Sequence, residues 1–360
     1  MEKLQFYTNS VFDQLRKRQD TLADQAVFSL VQNPSLITEI NSWNVIPEDL
    51  PEDFPTELKA FFTFYLDKAQ EYAESDLRSV QDFFEEKGDL YLAMLGFYSL
   101  PYCYAFADGA QVLVRSNRIL DQIGERLGET ASFVLEIFRP GAFSVQDQAY
   151  LVCAKVRLIH ALSRYFILTY AKDWDLAFGQ PVNQEDMLGT NLAFSHIVLR
   201  GLAKMGAAPS EKEYESVLSY WKWIGELMGI ETQFWPTTTK EAFELDKLIR
   251  KRHLKSSEAG QRLVKGLLHF YQKTIPDPVL NAQAEGILSF FLGQEASEAL
   301  NLKPGIKVPG EILGLVFNFA GRKNFGGKKG YKALRKNLHT QQQTQFGKVL
   351  EIKLPELKRT

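Results

Sequence analysis

The sequence predicts an all-α protein, built as a single large multi-helix domain. Apolar residues return every three or four positions along most of the chain, which is the period of a helix with one buried face. Strand-like and helix-like segments do not alternate, and the sequence has no internal repeat. Of the 360 residues, 45% are hydrophobic and 12% are aromatic, which is enough apolar volume for one large core.

The first helical segments end at residues that cannot continue a helix. Residues 6–31 have a helical apolar period, which stops at Asn33-Pro34. An acidic, proline-rich loop is predicted at residues 47–55, after which Thr56 can cap the next helix. Helical patterns then continue through residues 77–86, 89–100, 102–127 and 130–138.

Capping residues mark the helices of the second half. Ser144 and Asp147 offer an N-cap for a long helix that follows a turn at residues 139–141. Asn183 is a good cap for the next helix, with Asp186 in its first turn. Further helices are predicted at residues 209–229, 240–251, 258–273, 278–292 and 311–319, with a loop at 232–239.

The C-terminal stretch differs in composition from the rest of the chain. Residues 322–335 are rich in Lys and Gly, Gln341 begins a polar run, and residues 349–354 have the pattern of one isolated strand. A basic run usually forms a solvated surface, although it can also bind an anionic partner. We therefore predict a helical domain at residues 1–320 and a basic, partly irregular tail at 321–360.

Charge and cysteine content indicate a cytoplasmic protein without a nucleic-acid partner. The formal net charge is −2, so no overall field attracts nucleic acid or an acidic membrane. Cys103 and Cys153 lie in apolar helical surroundings and are predicted to be buried thiols in a reducing compartment. The N-terminus lacks the pattern of a secretion signal, and no segment has the uninterrupted apolar length of a transmembrane helix.

The strongest functional signal is a charged stripe on the long helix that follows Asp147. Arg157, His160 and Arg164 are spaced so that they project from one face. A histidine between two cations on an apolar helix is costly unless an anionic group binds there. Haem meets this need, because imidazole binds the iron and guanidinium groups bind the propionates. The alternative is a satisfied core histidine with two arginines whose stems cover apolar surface.

The other histidines lack such a setting. His196 is expected to be a polar helix residue, and His253 lies among four basic residues, so it is expected to face solvent. His269 and His339 have no partner pattern in the sequence.

The charged stripe belongs to a longer motif. It reads Lys155-Val-Arg157-Leu-Ile-His160-Ala-Leu-Ser-Arg164, followed by Gly-x-Pro-x-Asn-Gln-x-Asp at residues 179–186 and then by Thr190. Two shorter elements lie upstream, Asp20-Thr-Leu-Ala-Asp24 and Arg126-Leu-Gly-Glu129-Thr130. Together these residues resemble the family of latex clearing proteins (rubber oxygenases) and MpaB-type oxygenases.

The resemblance implies a haem b-dependent oxygenase, with globin-like helical packing around a haem pocket within residues 1–320. His160 would bind the iron, while Arg157 and Arg164 would support the propionates or the helix that carries His160. The partners implied are haem, O2 and a small apolar substrate such as an isoprenoid or another alkene. The further pocket residues implied are Arg126, Glu129 and Thr130 as catalytic positions and Thr190 as a cofactor contact.

Three positions depart from the family pattern. Glu129 stands where rubber oxygenases have a distal lysine, Ala110 where they have a glutamate base, and Tyr165 where the family often has a histidine. A glutamate cannot act as a neutral amine ligand. It would leave the sixth iron position to water or supply a carboxylate for proton transfer. Alternatively, Glu129 faces solvent beside Arg126.

These departures leave two further hypotheses open beside the oxygenase. One is a haem-binding protein without oxygenase turnover, such as a sensor, a carrier or a weak peroxidase. The other is a helical protein that kept the fold and lost the cofactor.

Overall fold

A computed structural model describes residues 2–71, 78–115, 122–275, 278–303 and 330–357. In these ranges the chain forms helices, turns and loops, and an isolated β-bridge joins Phe106 to Leu254 without any sheet. The predicted all-α class and single helical domain are confirmed. The helix predicted at residues 311–319 and most of the basic run at 322–335 lie outside the described residues.

In the described residues of the N-terminal half, a series of α-helices precedes the segment that carries the charged stripe. A π-helical turn, Leu95–Ser99, connects the helix that ends at Met94 to the helix that begins at Leu100. The helices of this half are α1 (Asn9–Leu15), α2 (Thr21–Gln32), α3 (Ser35–Ser42), α4 (Thr56–Glu71), α5 (Arg78–Met94), α6 (Leu100–Tyr104), α7 (Ala107–Arg115) and α8 (Ile123–Ile137).

The second half begins with the longest described helix, α9 (Gln148–Tyr170). A π-helical turn at Ala193–Ile197 connects the helix that ends at Leu192 to the helix that begins at Val198. None of the described helices is both long and apolar enough to cross a membrane. The remaining helices are α10 (Gln184–Leu192), α11 (Val198–Lys204), α12 (Glu211–Leu227), α13 (Thr239–His253), α14 (Glu258–Thr274), α15 (Pro278–Ala282), α16 (Ala284–Leu292), α17 (Gln294–Ala299) and α18 (Tyr331–Phe346).

Three predicted helix starts are confirmed by their caps. The side chain of Asp147 accepts a hydrogen bond from a backbone N–H in the first turn of α9. Asn183 does the same for α10, accepting from the N–H of Asp186 at 2.9 Å. Ser210 and Glu213 form a reciprocal capping box at the start of α12.

A long helical pattern predicted at residues 102–127 is interrupted in the structure. The helix α6 ends at Tyr104, and the backbone of the next two residues bonds to another part of the chain. The N–H of Lys255 donates to the carbonyl of Ala105 at 3.3 Å, and Phe106 forms its bridge with Leu254. The prediction of a continuous helix is wrong here, because these contacts redirect the backbone before α7.

Helix α9 lies in the interior, in contact with α2, α4, α7, α8 and α12. Most of its side chains between Ala149 and Leu162 are buried, including Cys153 and Leu158 at 0% exposure. A helix that is covered on nearly every side can place polar groups only where another element or a ligand meets them.

The described part of the C-terminal stretch packs onto the helical domain. Helix α18 lies against α5 and α8, and the hydroxyl of Tyr331 donates to the carbonyl of Leu135 at 2.8 Å. Leu350 and Leu354 are buried, although the segment after α18 forms no helix or strand, so the strand predicted at residues 349–354 is wrong. The domain boundary predicted at residue 320 lies outside the described residues and stays a prediction.

Candidate functional site

Arg157 lies buried where α9 meets α2 and α4. Its Nε donates to Oδ2 of Asp20 at 2.6 Å and its Nη2 donates to Oδ1 at 2.9 Å, which makes a bidentate pair. The guanidinium also lies over the rings of Phe61 and Phe64, 5.5 and 4.8 Å from their centroids. Its third nitrogen, Nη1, is buried and has no hydrogen-bond partner among the described residues.

Arg164 repeats this arrangement two turns further along α9. Its Nε donates to Oδ1 of Asp24 at 2.6 Å, and its Nη1 donates to the carbonyl of Val182 at 3.2 Å. Its Nη2 is buried without a partner in the described part of the chain. Because Asp20 and Asp24 are four residues apart, both reach α9 from one side of α2.

The two arginines therefore fasten α9 to α2 through charge-assisted hydrogen bonds. This contact explains the Asp-x-Leu-Ala-Asp element at residues 20–24, for which the sequence indicated no partner. Propionate binding by Arg157 and Arg164 stays a prediction.

His160 lies between these arginines on α9. Its Nδ1 is buried and has no hydrogen-bond partner among the described residues. Burial, followed by the positive charges of Arg164 and Arg126, lowers the pKa of the imidazole to about 4. The ring is therefore neutral at pH 7, which is the state in which histidine binds a metal ion. An unbonded buried nitrogen costs about 1–3 kcal/mol, a deficit that a bound ligand can offset.

The surroundings of His160 fit a haem. Haem iron needs only one strong axial donor from the protein. The described residues contain no group of three or more His, Cys, Asp or Glu side chains that could hold a bare metal ion. Partly buried apolar side chains, Val156 and Ile159, adjoin His160 on α9. Apolar surface of this kind suits the face of a macrocycle.

The predicted distal residues lie together on α8. Arg126 donates through Nη1 to Oε2 of Glu129 at 3.2 Å, and the hydroxyl of Thr130 donates to the carbonyl of Arg126 at 2.8 Å. The side chain of Glu129 is only 13% exposed, so it does not point into bulk solvent. The charge of Arg126 contributes to the lowered pKa of His160, so the two side chains are near enough for their charges to interact.

Thr190 is an exposed residue of α10. Its hydroxyl donates to the carbonyl of Asp186 at 2.8 Å, within its own helix. No hydrogen bond joins it to His160 among the described residues, and its place in a cofactor site stays a prediction.

A buried ion network that the sequence pattern did not indicate lies beside α10. The prediction that His253 faces solvent is wrong: its Nε2 lies 2.8 Å from Oε1 of Glu185, and its Nδ1 lies 3.4 Å from Oδ2 of Asp108. Although burial alone lowers it, hydrogen bonds to these carboxylates raise the pKa of His253 overall. Arg16 joins the network 3.0 Å from Asp186. In the sequence, the basic neighbours of His253 have the pattern of an exposed charged segment. Its acidic partners are distant in sequence, so their pairing with His253 could not be predicted from this pattern.

Residues 104–313 match the family model described as "ER-bound oxygenase mpaB/B'/Rubber oxygenase, catalytic domain". This range contains α8, His160 and both arginines of the stripe, and it covers more than half of the chain. The chain belongs to this family. The resemblance seen in the sequence motif is therefore confirmed.

Two relatives show how far the family has diverged. The rubber oxygenase of Streptomyces sp. (strain K30) is 21% identical over 281 residues, covering 77% of this chain and 68% of that protein. A solved structure of latex clearing protein LCP in the closed state has a TM-score of 0.70 at 19% identity, covering 90% of each chain. At this level of identity the structural likeness shows a shared fold.

Proposed function

We propose that this protein is a haem b-dependent oxygenase that uses O2 to oxidise a small apolar substrate, an isoprenoid or another alkene. The observation that carries the proposal is His160, a neutral imidazole with a buried and unbonded Nδ1 on the central helix of an oxygenase-family domain. A bound haem would supply the redox-active iron that O2 chemistry on an alkene requires.

The residues around His160 would position it. His160 would hold the iron, and the pairs of Arg157 with Asp20 and Arg164 with Asp24 would keep α9 at a constant place relative to α2. Supporting contacts of this kind fix the orientation of a metal ligand, and their loss usually weakens metal binding.

On α8, the pair of Arg126 with Glu129 would provide the polar groups near the substrate. The guanidinium of Arg126 holds one carboxylate oxygen of Glu129 at 3.2 Å, which keeps the carboxylate oriented. In this position Glu129 would hold or move a proton, and Arg126 and Thr130 would shape the pocket.

A second candidate function is haem binding without oxygenase turnover. The observation that favours it is the loss of the family's base, because Ala110 stands at that position, is fully buried and cannot accept a proton. The ion pair of Glu129 with Arg126 likewise leaves no amine on α8 at the position of the distal lysine.

We place the protein in the cytoplasm. Cys103 and Cys153 are free thiols, and burial raises the pKa of both, so neither is reactive at neutral pH. Unpaired buried thiols are typical of proteins in a reducing compartment.

The proposal is tested with protein purified from cells that are supplied with a haem precursor. A Soret band at one haem per chain, with O2 consumption that depends on an added alkene, is expected for the oxygenase. A Soret band without alkene-dependent O2 consumption supports the second function. Colourless protein that takes up no added haem contradicts both functions.

The spin state of the iron reports on Glu129. Without a lysine amine on the distal side, the ferric protein should be mainly high-spin at neutral pH, and cyanide should bind readily. Glu129→Lys is expected to create a low-spin fraction, visible in absorption and electron paramagnetic resonance spectra. The matched control is Glu125→Lys on the same helix, since Glu125 points to Lys348, 3.2 Å away. Equal spectra for both variants would contradict the assignment of α8 to the distal side of the iron.

A further inference from the structure

A cavity lies on the face of α9 that points away from the charged stripe. It has a volume of about 240 Å³ and is lined by residues of α3, α8, α9, α18 and the segment after α18. A water molecule occupies about 30 Å³ in the liquid, so a small organic molecule has room here. Because successive helix residues turn by about 100°, Lys155 points to this cavity while Arg157 and Arg164 point nearly the opposite way.

Lys155 is the unusual group in this cavity. The residue is only 5% exposed, and its ammonium has no hydrogen bond or ion pair within 4 Å among the described residues. Burial, followed by the charge of Lys353, lowers the pKa of its amine to about 8, although the charge of Glu351 acts to raise it. The side chain is therefore mostly protonated at pH 7. It is a largely buried cation whose nearby carboxylate, Glu351, pairs with Lys353, an arrangement that a bound anion would stabilise.

The other charged groups around the cavity are already compensated. Glu136 binds Arg139 at 2.7 Å and has Arg335 at 3.7 Å. Glu351 binds Lys353 at 3.2 Å at the cavity edge. The lining also includes His339 and the neutral groups Asn41, Ser42, Asn44, Ser132 and Gln148.

A broader basic groove adjoins this cavity. It has a volume of about 560 Å³ and shares Arg335 and His339 with the cavity. Its exposed lysines, Lys332 and Lys336, add positive charge at the surface. Clustered positive charge of this kind raises the local concentration of anions near the cavity.

We propose that the cavity behind α9 is a binding site for a small monocarboxylate, whose carboxylate pairs with the ammonium of Lys155. A single charge is specified because Lys155 is the one cation of this lining with no carboxylate within 4 Å among the described residues. The side chains of Asn44 and Gln148, which make no hydrogen bond among the described residues, can bond the polar remainder of such a ligand. This site is separate from His160 and does not depend on haem.

The proposal is tested by calorimetric titration of the full chain with lactate, acetate and inorganic phosphate at pH 7. Lactate or acetate should bind, and Lys155→Met should raise the Kd at least tenfold. The control Lys336→Met removes one charge from the neighbouring groove and should change the Kd by less than twofold. Equal effects of the two variants would overturn the proposal, as would tighter binding of phosphate than of either carboxylate.

The pH dependence separates a direct contact from a structural role. Only the protonated amine binds a carboxylate strongly, so the affinity of the parent should fall about tenfold per pH unit above pH 8. His339, whose pKa is lowered by burial and Arg335, stays neutral over that range. Lys155→Arg keeps its charge and should bind at pH 9.5 as it does at pH 7. A parent affinity that is constant from pH 7 to 9.5 contradicts the assignment.

Discussion

Replacing His160 with alanine is expected to remove stoichiometric haem while leaving the helical circular dichroism largely intact. The Nδ1 of the imidazole makes no hydrogen bond to the described residues. The substitution therefore removes the proposed axial donor and breaks no hydrogen bond at this nitrogen. Soret absorbance per chain, measured after gel filtration, gives the result. A His160→Ala protein that keeps a full haem load and an unchanged spectrum would contradict the assignment.

Two comparisons make this experiment specific. His269 is an exposed histidine on α14, and His269→Ala should leave the haem content unchanged. Added imidazole can occupy the space that the His160→Ala substitution leaves, so it should restore part of the haem binding. Restoration by imidazole identifies the missing group as an iron ligand, because a folding defect would not respond to it.

Replacing Arg157 with alanine is expected to lower the free energy of unfolding by about 3–5 kcal/mol. The loss is large because Asp20 would remain buried without its bidentate partner. Urea unfolding, followed by circular dichroism, measures the change. The control is Arg18→Ala, since Arg18 is 50% exposed and its pair with Glu231 should contribute about 0–1 kcal/mol. Equal losses for the two variants would show that burial of the Arg157 pair is unimportant.

A double variant decides how Arg157 acts on the cofactor. Arg157→Leu combined with Asp20→Leu removes both buried charges, and it should be more stable than Arg157→Ala. If Arg157 only fastens α9 to α2, this double variant should retain haem. Loss of haem in a stably folded double variant would instead show that the guanidinium contacts a propionate.

Local chemistry explains which helix starts were predictable. The caps at Asp147, Asn183 and Ser210 act on the first turn of their own helices, so the necessary information lies within a few residues. The spacing of Arg157, His160 and Arg164 is equally local, and it was enough to place them on one helix. The break after Tyr104 was not predictable in this way, because its cause is a contact with Lys255 and Leu254.

The partners of the buried charges depend on which helix faces meet. Asp20 and Arg157 are 137 residues apart in sequence. The motifs that contain them indicated a family, but at this separation the sequence could not show that the two side chains form a pair. His253 looked exposed because its neighbours are basic, yet the packing of α13 against α10 brings it to Glu185. Burial that results from helix packing can therefore contradict a prediction made from the neighbouring residues in the sequence.

By itself, the sequence determined the helical class, the long helix with His160 on its charged face, and membership of the oxygenase family. These follow from helical periodicity, capping and a motif, all of which act over short stretches of chain. Only the tertiary structure decided that Asp20 and Asp24 hold the arginines, that Glu129 is held by Arg126 away from solvent, and that Lys155 faces a cavity. Desolvation and ion pairing are set by distances in space, and those distances exist only after the helices have packed.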